Sequence, residues 1–429
     1  MGLSQEMASC LARIHRPGFL ARSLQVKEKM STRSKQLPLY FLFLVARLVL
    51  FAGLPLDGLR GYGDMIHFFQ QAGLGWPFFD FWVEYPPVFP FLSALLYRLS
   101  GESEHGYLYL MAGVLSLAQA GGLALFQRLA TRLYGPETAQ RRSWVYFALL
   151  VCLPFSWWSF DGLAVTSMLL GILWLLEGRG GRAGLALGLG ILTKWFPGLV
   201  LVLAWRLGGA RRALHPATAA ALLVGSVFFG LYLLAPENTL ASLLSQPGKG
   251  SWETVWALLD GNYQTGNFGT HIDPLDPSTA VISSRNPARL SPWLTLPFFA
   301  GAGLWLSRRS APGKERESLA FLGLAWCLFL LWMPGYSPQW VLYLLPLSLL
   351  ALPERMGILA GIALILVDLL EWPVLLSRGL FWGLWLTVPL RAALLLMLGS
   401  MFWQAAHVPK SFIQAKPAPE GPESAWAKG

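Results

Sequence analysis

Apolar runs recur along nearly the whole chain, each closed by Arg, Lys, Gly or Pro. A run of about 18 or more apolar residues is long enough to cross a hydrocarbon layer roughly 30 Å thick. The first covers about Pro38 to Leu56 and the next about Gly106 to Phe126. Others lead from about Ser143 to Trp157-Trp158 and from Asp161 to Glu177-Gly178-Arg179. Between Ala183 and Arg206 the run carries basic residues at both ends and is interrupted at Thr193-Lys194-Trp195-Phe196-Pro197, which reads as a broken hairpin. A further run covers Ala213 to Ala235, and later ones begin near Pro292, Leu319, Gln339, Gly357 and Gly379. With the hairpin counted as two, the pattern predicts an all-α polytopic membrane protein of about twelve membrane segments.

The charges orient these segments. Of the 33 Lys and Arg, 24 fall between runs or in tails on one side, the cytosolic one by the positive-inside rule. Both termini are then cytoplasmic, in a plasma membrane of the bacterial inner-membrane kind. Parity keeps Pro86 to Leu99 outside. That segment is too short to span, and it suits an interfacial helix in the first outer loop. The expected organisation is a basic cytosolic tail (1–37), a transmembrane domain (38–405) with outer loops at about 57–105 and 236–291, and a Pro-, Ala- and Lys-rich cytosolic tail (406–429) that reads as disordered. No A-x-A cleavage site follows the first run, which therefore reads as retained.

Composition agrees. The 429 residues are 55% hydrophobic and 13% charged, with a mean hydropathy of +0.49, which excludes a soluble globule. The formal charge of +10 sits in clusters at run ends, so nucleic acid is not an expected partner; membrane lipid is. Cys10, Cys152 and Cys327 form neither a metal spacing nor a disulfide framework.

The acids that remain outside are candidates for chemistry. Asp64, about eight residues past the first run, reads either as a helix N-cap before MIHFFQQA or as a general base. Asp80 reads as loop, whereas Glu84 in WVEYPP is enclosed by aromatic residues and a Pro pair. Asp161 follows SWWSF and reads as an N-cap or as a neighbour of Asp64. Lys194 stands roughly 16 Å of helical rise from the cytosolic end of its run, about halfway across. An ammonium there is costly: it serves a lipid phosphate, or it forms a structural ion pair with an interior acid. Arg285 and Arg289 add outer positive charge, and Tyr336 and Gln339 stand in the outer turn MPGYSPQW. The stretch from Ser251 to Pro274, rich in Trp, Tyr, Asn and Gly, offers faces and amides to a sugar. His67, His105 and His271 match no metal motif. The chain has no P-loop, no GxSxG elbow and no HExxH.

The ordered pieces EYPPVFP (Glu84–Pro90), LLYRLSG, LALGLGILTKWFPGLVLV (Leu185–Val202), SWETVWALLDG (Ser251–Gly261) and YSPQWVLYLLPL (Tyr336–Leu347), preceded by an Asp in the first outer loop, resemble the GT-C superfamily of polyprenyl-phosphate-sugar-dependent glycosyltransferases, and most closely the bacterial family 87. The resemblance covers about residues 40 to 350. It implies a GT-C-like bundle and an inverting transfer of a sugar, mannose in the best-known members, from a polyprenyl-phosphate donor to a glycan or lipid acceptor on the outer face. It makes Asp64 the catalytic base. Lys194 is then the candidate ligand of the lipid phosphate; apart from the resemblance, Glu84, Asp161, Arg285, Tyr336 and Gln339 are expected by position and residue type to bind substrate. No cofactor is expected, and metal dependence is not argued. The competing readings are a transporter or flippase for a lipid-linked saccharide, and a membrane scaffold without catalysis.

Overall fold

A computed structural model describes residues 37–60, 64–265, 272–309 and 314–407. Most of the two expected tails lies outside the described residues, as do Gly61-Tyr62-Gly63 before Asp64, and His271. Every element among the described residues is helical. Among the described residues, fifteen α-helices of six residues or more are numbered in chain order: α1 Leu37–Gly53, α2 Asp64–Ala72, α3 Val88–Leu99, α4 Glu104–Tyr134, α5 Pro136–Cys152, α6 Asp161–Leu176, α7 Gly180–Thr193, α8 Leu201–Leu234, α9 Pro236–Gly248, α10 Val255–Asp260, α11 Pro292–Arg309, α12 Glu315–Trp332, α13 Val341–Ala351, α14 Glu354–Leu369 and α15 Leu384–Ala406.

Among the described residues, four helical stretches are long and apolar enough to cross a membrane: Glu104–Tyr134, Phe196–Leu234, Glu354–Arg378 and Phe381–Ala406. The other apolar runs form shorter or less apolar helices, so length alone does not carry the expected count of about twelve. The segment expected at the interface is α3, whose 12 residues rise about 18 Å, well short of a bilayer core. The stretch 236–291, expected as a long outer loop, instead contains α9, α10 and a 3₁₀ turn at Pro277–Val281.

The centre of the bundle is α13, all of whose residues are buried. Its composition explains this, because VLYLLPLSLLA is apolar on every face and has no side to show to water. Tyr343 of α13 stacks on Trp326 of α12 with ring centroids 4.8 Å apart. Around this centre, α7 packs on α8 through Gly180, Gly184 and Gly188, spaced one helical turn apart. A Cβ on Gly184 would stand 2.6 Å from the Ala219 Cβ, so the backbones meet where side chains would separate them.

Two breaks shape the site. α7 ends at Thr193, and Lys194 is extended (φ −158°, ψ 137°) before a 3₁₀ turn, Phe196–Val200, leads into α8. Pro197 has no N–H to continue the helix, so the break falls in TKWFP. Farther back, Arg47 of α1 donates to the Leu150 carbonyl at 2.6 Å and to the Ser156 hydroxyl. It thereby caps the end of α5 and fixes the SWWSF turn that delivers Asp161 to the head of α6.

Candidate active site

Three segments far apart in sequence meet in one aromatic knot. Phe68 from α2 lies 4.7 Å from Phe89 of α3 and 5.9 Å from Phe160, edge to face in both cases. Phe89 stacks on Phe160 at 4.0 Å, and Tyr85 meets Phe160 at 4.9 Å. Aromatic pairs at these distances add to area burial by fixing relative orientation. Each of the three segments carries a carboxylate beside its ring: Asp64 opens the helix of Phe68, Glu84 precedes Tyr85, and Asp161 follows Phe160.

Lys194 enters from the α7–α8 break. Its ammonium lies 2.8 and 2.9 Å from the two Asp161 carboxylate oxygens. Ser159 donates to the same carboxylate at 2.6 Å, and the Phe160 ring faces the ammonium at 5.0 Å. Asp161 is fully buried, whereas Lys194 keeps some accessible surface. A second pair stands nearby. Lys249 bonds Glu84 at 2.6 Å and lies 5.0 Å over the Trp252 ring, and Gln246 donates to the Glu84 carbonyl. Arg285 donates to the Lys249 carbonyl at 2.6 Å and sits 5.5 Å over Trp252 from another direction. Burial pushes the Glu84 carboxyl up, but Lys249 as charge and donor, the Tyr85 hydroxyl and His67 bring it below its ordinary value.

Glu84, Lys194, Lys249, Trp252 and Arg285 line a cavity of about 1070 Å³. Glu84, Lys194, Lys249, Arg285, Asp260 and Gln339 are its polar residues of note, and Trp195, Trp252, Trp256, Trp293, Trp332 and Trp340 supply much of its apolar wall. The volume is at the upper end of small-molecule sites. Asp64 stands just outside this lining. Its side chain is exposed at the head of α2, and the protein packed around it pushes the carboxyl up to about 7. Lys194 opposes the shift, while Asp161 and Glu84 add to it. A carboxyl near 7 can accept a proton and release it again at neutral pH. Among the described residues, no group of three or more His, Cys, Asp or Glu side chains is placed to hold a metal ion.

No protein-family model matches the chain, and no curated protein matches it. Two solved structures are similar to it. One is ArnT from Cupriavidus metallidurans bound to undecaprenyl phosphate, with a TM-score of 0.46 and 14% identity, covering 89% of this chain and 77% of that one. The other is ArnT from Cupriavidus metallidurans in the apo state, with a TM-score of 0.35 and 15% identity, covering 85% of this chain and 76% of that one.

The structure therefore brings Lys194, Glu84, Arg285 and Gln339 to one cavity, with Asp161 behind Lys194 and Asp64 within reach of their charges. Tyr336 is turned elsewhere, its hydroxyl donating to Asp368 at 3.1 Å. Arg289 is exposed, and its backbone N–H donates to Asp260. Asp80 accepts the Trp76 N–H at 2.6 Å and closes a turn. Sequence reading passed over Lys249 and Asp260. Lys249 carried a legible signal as one of few basic residues on an acidic side. Asp260, held by Ser251 at 2.7 Å, lay unremarked within SWETVWALLDG.

Proposed function

We propose that the chain is an integral-membrane glycosyltransferase that moves a sugar, a mannose-like hexose by its resemblance to family 87, from a polyprenyl-phosphate donor to an acceptor hydroxyl. The reaction takes place on the outer face of a bacterial inner membrane. One observation carries this reading: a large, Trp-walled cavity is lined by three cationic side chains, one of which acts through charge on a carboxyl raised to about 7. An apolar wall suits an isoprenoid chain, the cations suit a phosphate, and Trp faces suit a sugar ring.

In the reaction, the acceptor oxygen attacks the anomeric carbon and Asp64 takes its proton. The bond between that carbon and the phosphate oxygen breaks, and its electron pair leaves with the phosphate, which stays on the polyprenyl chain. Attack opposite the leaving group inverts the anomeric configuration. Lys194, Lys249 and Arg285 stabilise the negative charge that grows on the phosphate. Asp161 holds the Lys194 ammonium in place, and Glu84 does the same for Lys249.

The test incubates the purified protein with a radiolabelled polyprenyl-phosphate mannose and candidate acceptors. Label leaving the lipid for an acceptor is the expected result, and Asp64→Asn should abolish it while the protein stays folded. Label that crosses a vesicle membrane still attached to its lipid would instead support a flippase.

A further inference from the structure

A second group of charges lies away from the cavity, and the proposed transfer does not use it. Asp368 stands near the end of α14, Glu371 in the wide helical turn that follows, and Arg391 in α15; all three are buried. Arg391 donates to Glu371 at 2.6 Å, lies 3.7 Å from Asp368, and sits 3.9 Å over the Tyr336 ring. The Tyr336 hydroxyl bonds Asp368, and Thr387 donates to Glu371. The adjoining crevice measures only about 20 Å³, which is room for a single water. Ionised groups inside apolar helices are expensive, and they mark a function even where no ligand fits.

The remaining arm of Arg391 reaches toward the cavity wall. It donates to the backbone carbonyl of Glu253. Glu253 has φ +53°, a left-handed conformation that a residue with a side chain holds only when its surroundings impose it. It directly follows Trp252, a wall of the cavity. Trp252 is tied on its other side as well: its N–H donates to Pro334 at 3.2 Å, its carbonyl accepts from the Tyr336 N–H at 3.0 Å, and its indole lies so close to Gly335 that a Cβ there would collide with the ring. Thr254 donates to the Pro334 carbonyl at 2.7 Å and caps α10. Lys249 and Arg285 both rest over the Trp252 ring.

We infer that Arg391 is a positioning residue for the cationic lining of the cavity. Anchored by Asp368 and Glu371, it holds the Glu253 carbonyl, fixes Trp252, and so sets where Lys249 and Arg285 stand. The backbone restraint is independent of the proposed reaction; its consequence for donor binding rests on that reading.

The experiment compares the full-length wild type in detergent with Arg391→Lys, which keeps the charge but lacks the fork needed to reach both partners. A second variant, Asp368→Asn/Glu371→Gln/Arg391→Met, removes the cluster without stranding a buried charge. Loss of a charge-assisted hydrogen bond should speed amide exchange across residues 249–257 by about tenfold in both variants, with α4 unchanged. Binding of tritiated undecaprenyl phosphate should weaken by a similar factor, and KM for the lipid-linked donor should rise more than kcat falls. Unchanged exchange at 249–257 overturns the inference, and so does faster exchange with wild-type lipid binding. A wild type that binds no polyprenyl phosphate refutes the proposed function, while the exchange measurement still decides the restraint.

Discussion

Asp64 and Lys194 act on each other through charge, and this makes the site's pH dependence predictable. Desolvation raises Asp64 from 3.8 to about 7, and Lys194 limits that rise. A base must be ionised, so transfer by the wild type should fall as pH drops below about 7. In Lys194→Met the opposing charge is gone, so the acid limb of kcat/KM should move to higher pH; a limb that stays in place would remove Asp64 from the role of base. The stability sign runs the other way. A carboxyl whose folded pKa lies above its unfolded value favours the folded state at low pH and loses that contribution as pH rises through about 7. Asp64→Asn should therefore melt no lower than the wild type at pH 8, and its advantage should shrink at pH 4. Lys194 was legible in the sequence because its depth is fixed by counting residues from the cytosolic end of a run. Its partner was not, since Asp161 lies 33 residues earlier and is brought to it by the packing of α6 on α7.

At the scale of elements, the packing of α7 on α8 depends on glycine. LALGLGILTKWFP announces the break at Lys194, because Pro197 cannot continue a helix. The stripe of Gly180, Gly184 and Gly188 was equally present in the sequence, but a four-residue spacing of small residues becomes informative only once a partner helix is known. The partner is the middle of α8, at Pro216, Ala219 and Ala220. Gly184→Leu would force a side chain against the α8 backbone, where overpacking typically costs about 1–3 kcal/mol. The variant is expected to melt several degrees lower in detergent and to lose transfer, because displacing α7 moves Lys194 as well. Gly225→Leu on α8, where an added Cβ meets nothing within 4 Å, serves as the control and should melt at or above the wild type. Equal melting temperatures for the two would show that the α7–α8 contact does not depend on glycine.

For the whole molecule, α4 supplies a ruler. Its 31 residues rise about 46 Å, roughly the thickness of a bilayer with its headgroups. Glu104 at one end bonds Arg60 at 2.8 Å, and Arg132 near the other bonds Glu315 at 2.5 Å. The Arg132 end gathers further basic residues: Arg141 pairs with Glu354 at 3.7 Å, Arg142 donates to the Leu349 carbonyl, and Arg316 lies 4.5 Å over Tyr134. Parity of charge along the sequence assigned these residues to the cytosol one run at a time, and the fold collects them at one end of one helix. The number of segments was less legible, because the break at Lys194 divides one apolar run into two helices, whereas α8 passes through the kink at Gly208–Gly209 and joins two runs that the sequence separates. The ruler makes orientation testable. With Cys10, Cys152 and Cys327 replaced by Ala, a membrane-impermeant maleimide applied to intact cells should label Leu275→Cys, an exposed position between α10 and α11. Glu137→Cys, exposed at the start of α5, should react only after permeabilisation. The reverse pattern would turn the cavity toward the cytosol, out of reach of the proposed outer-leaflet donor.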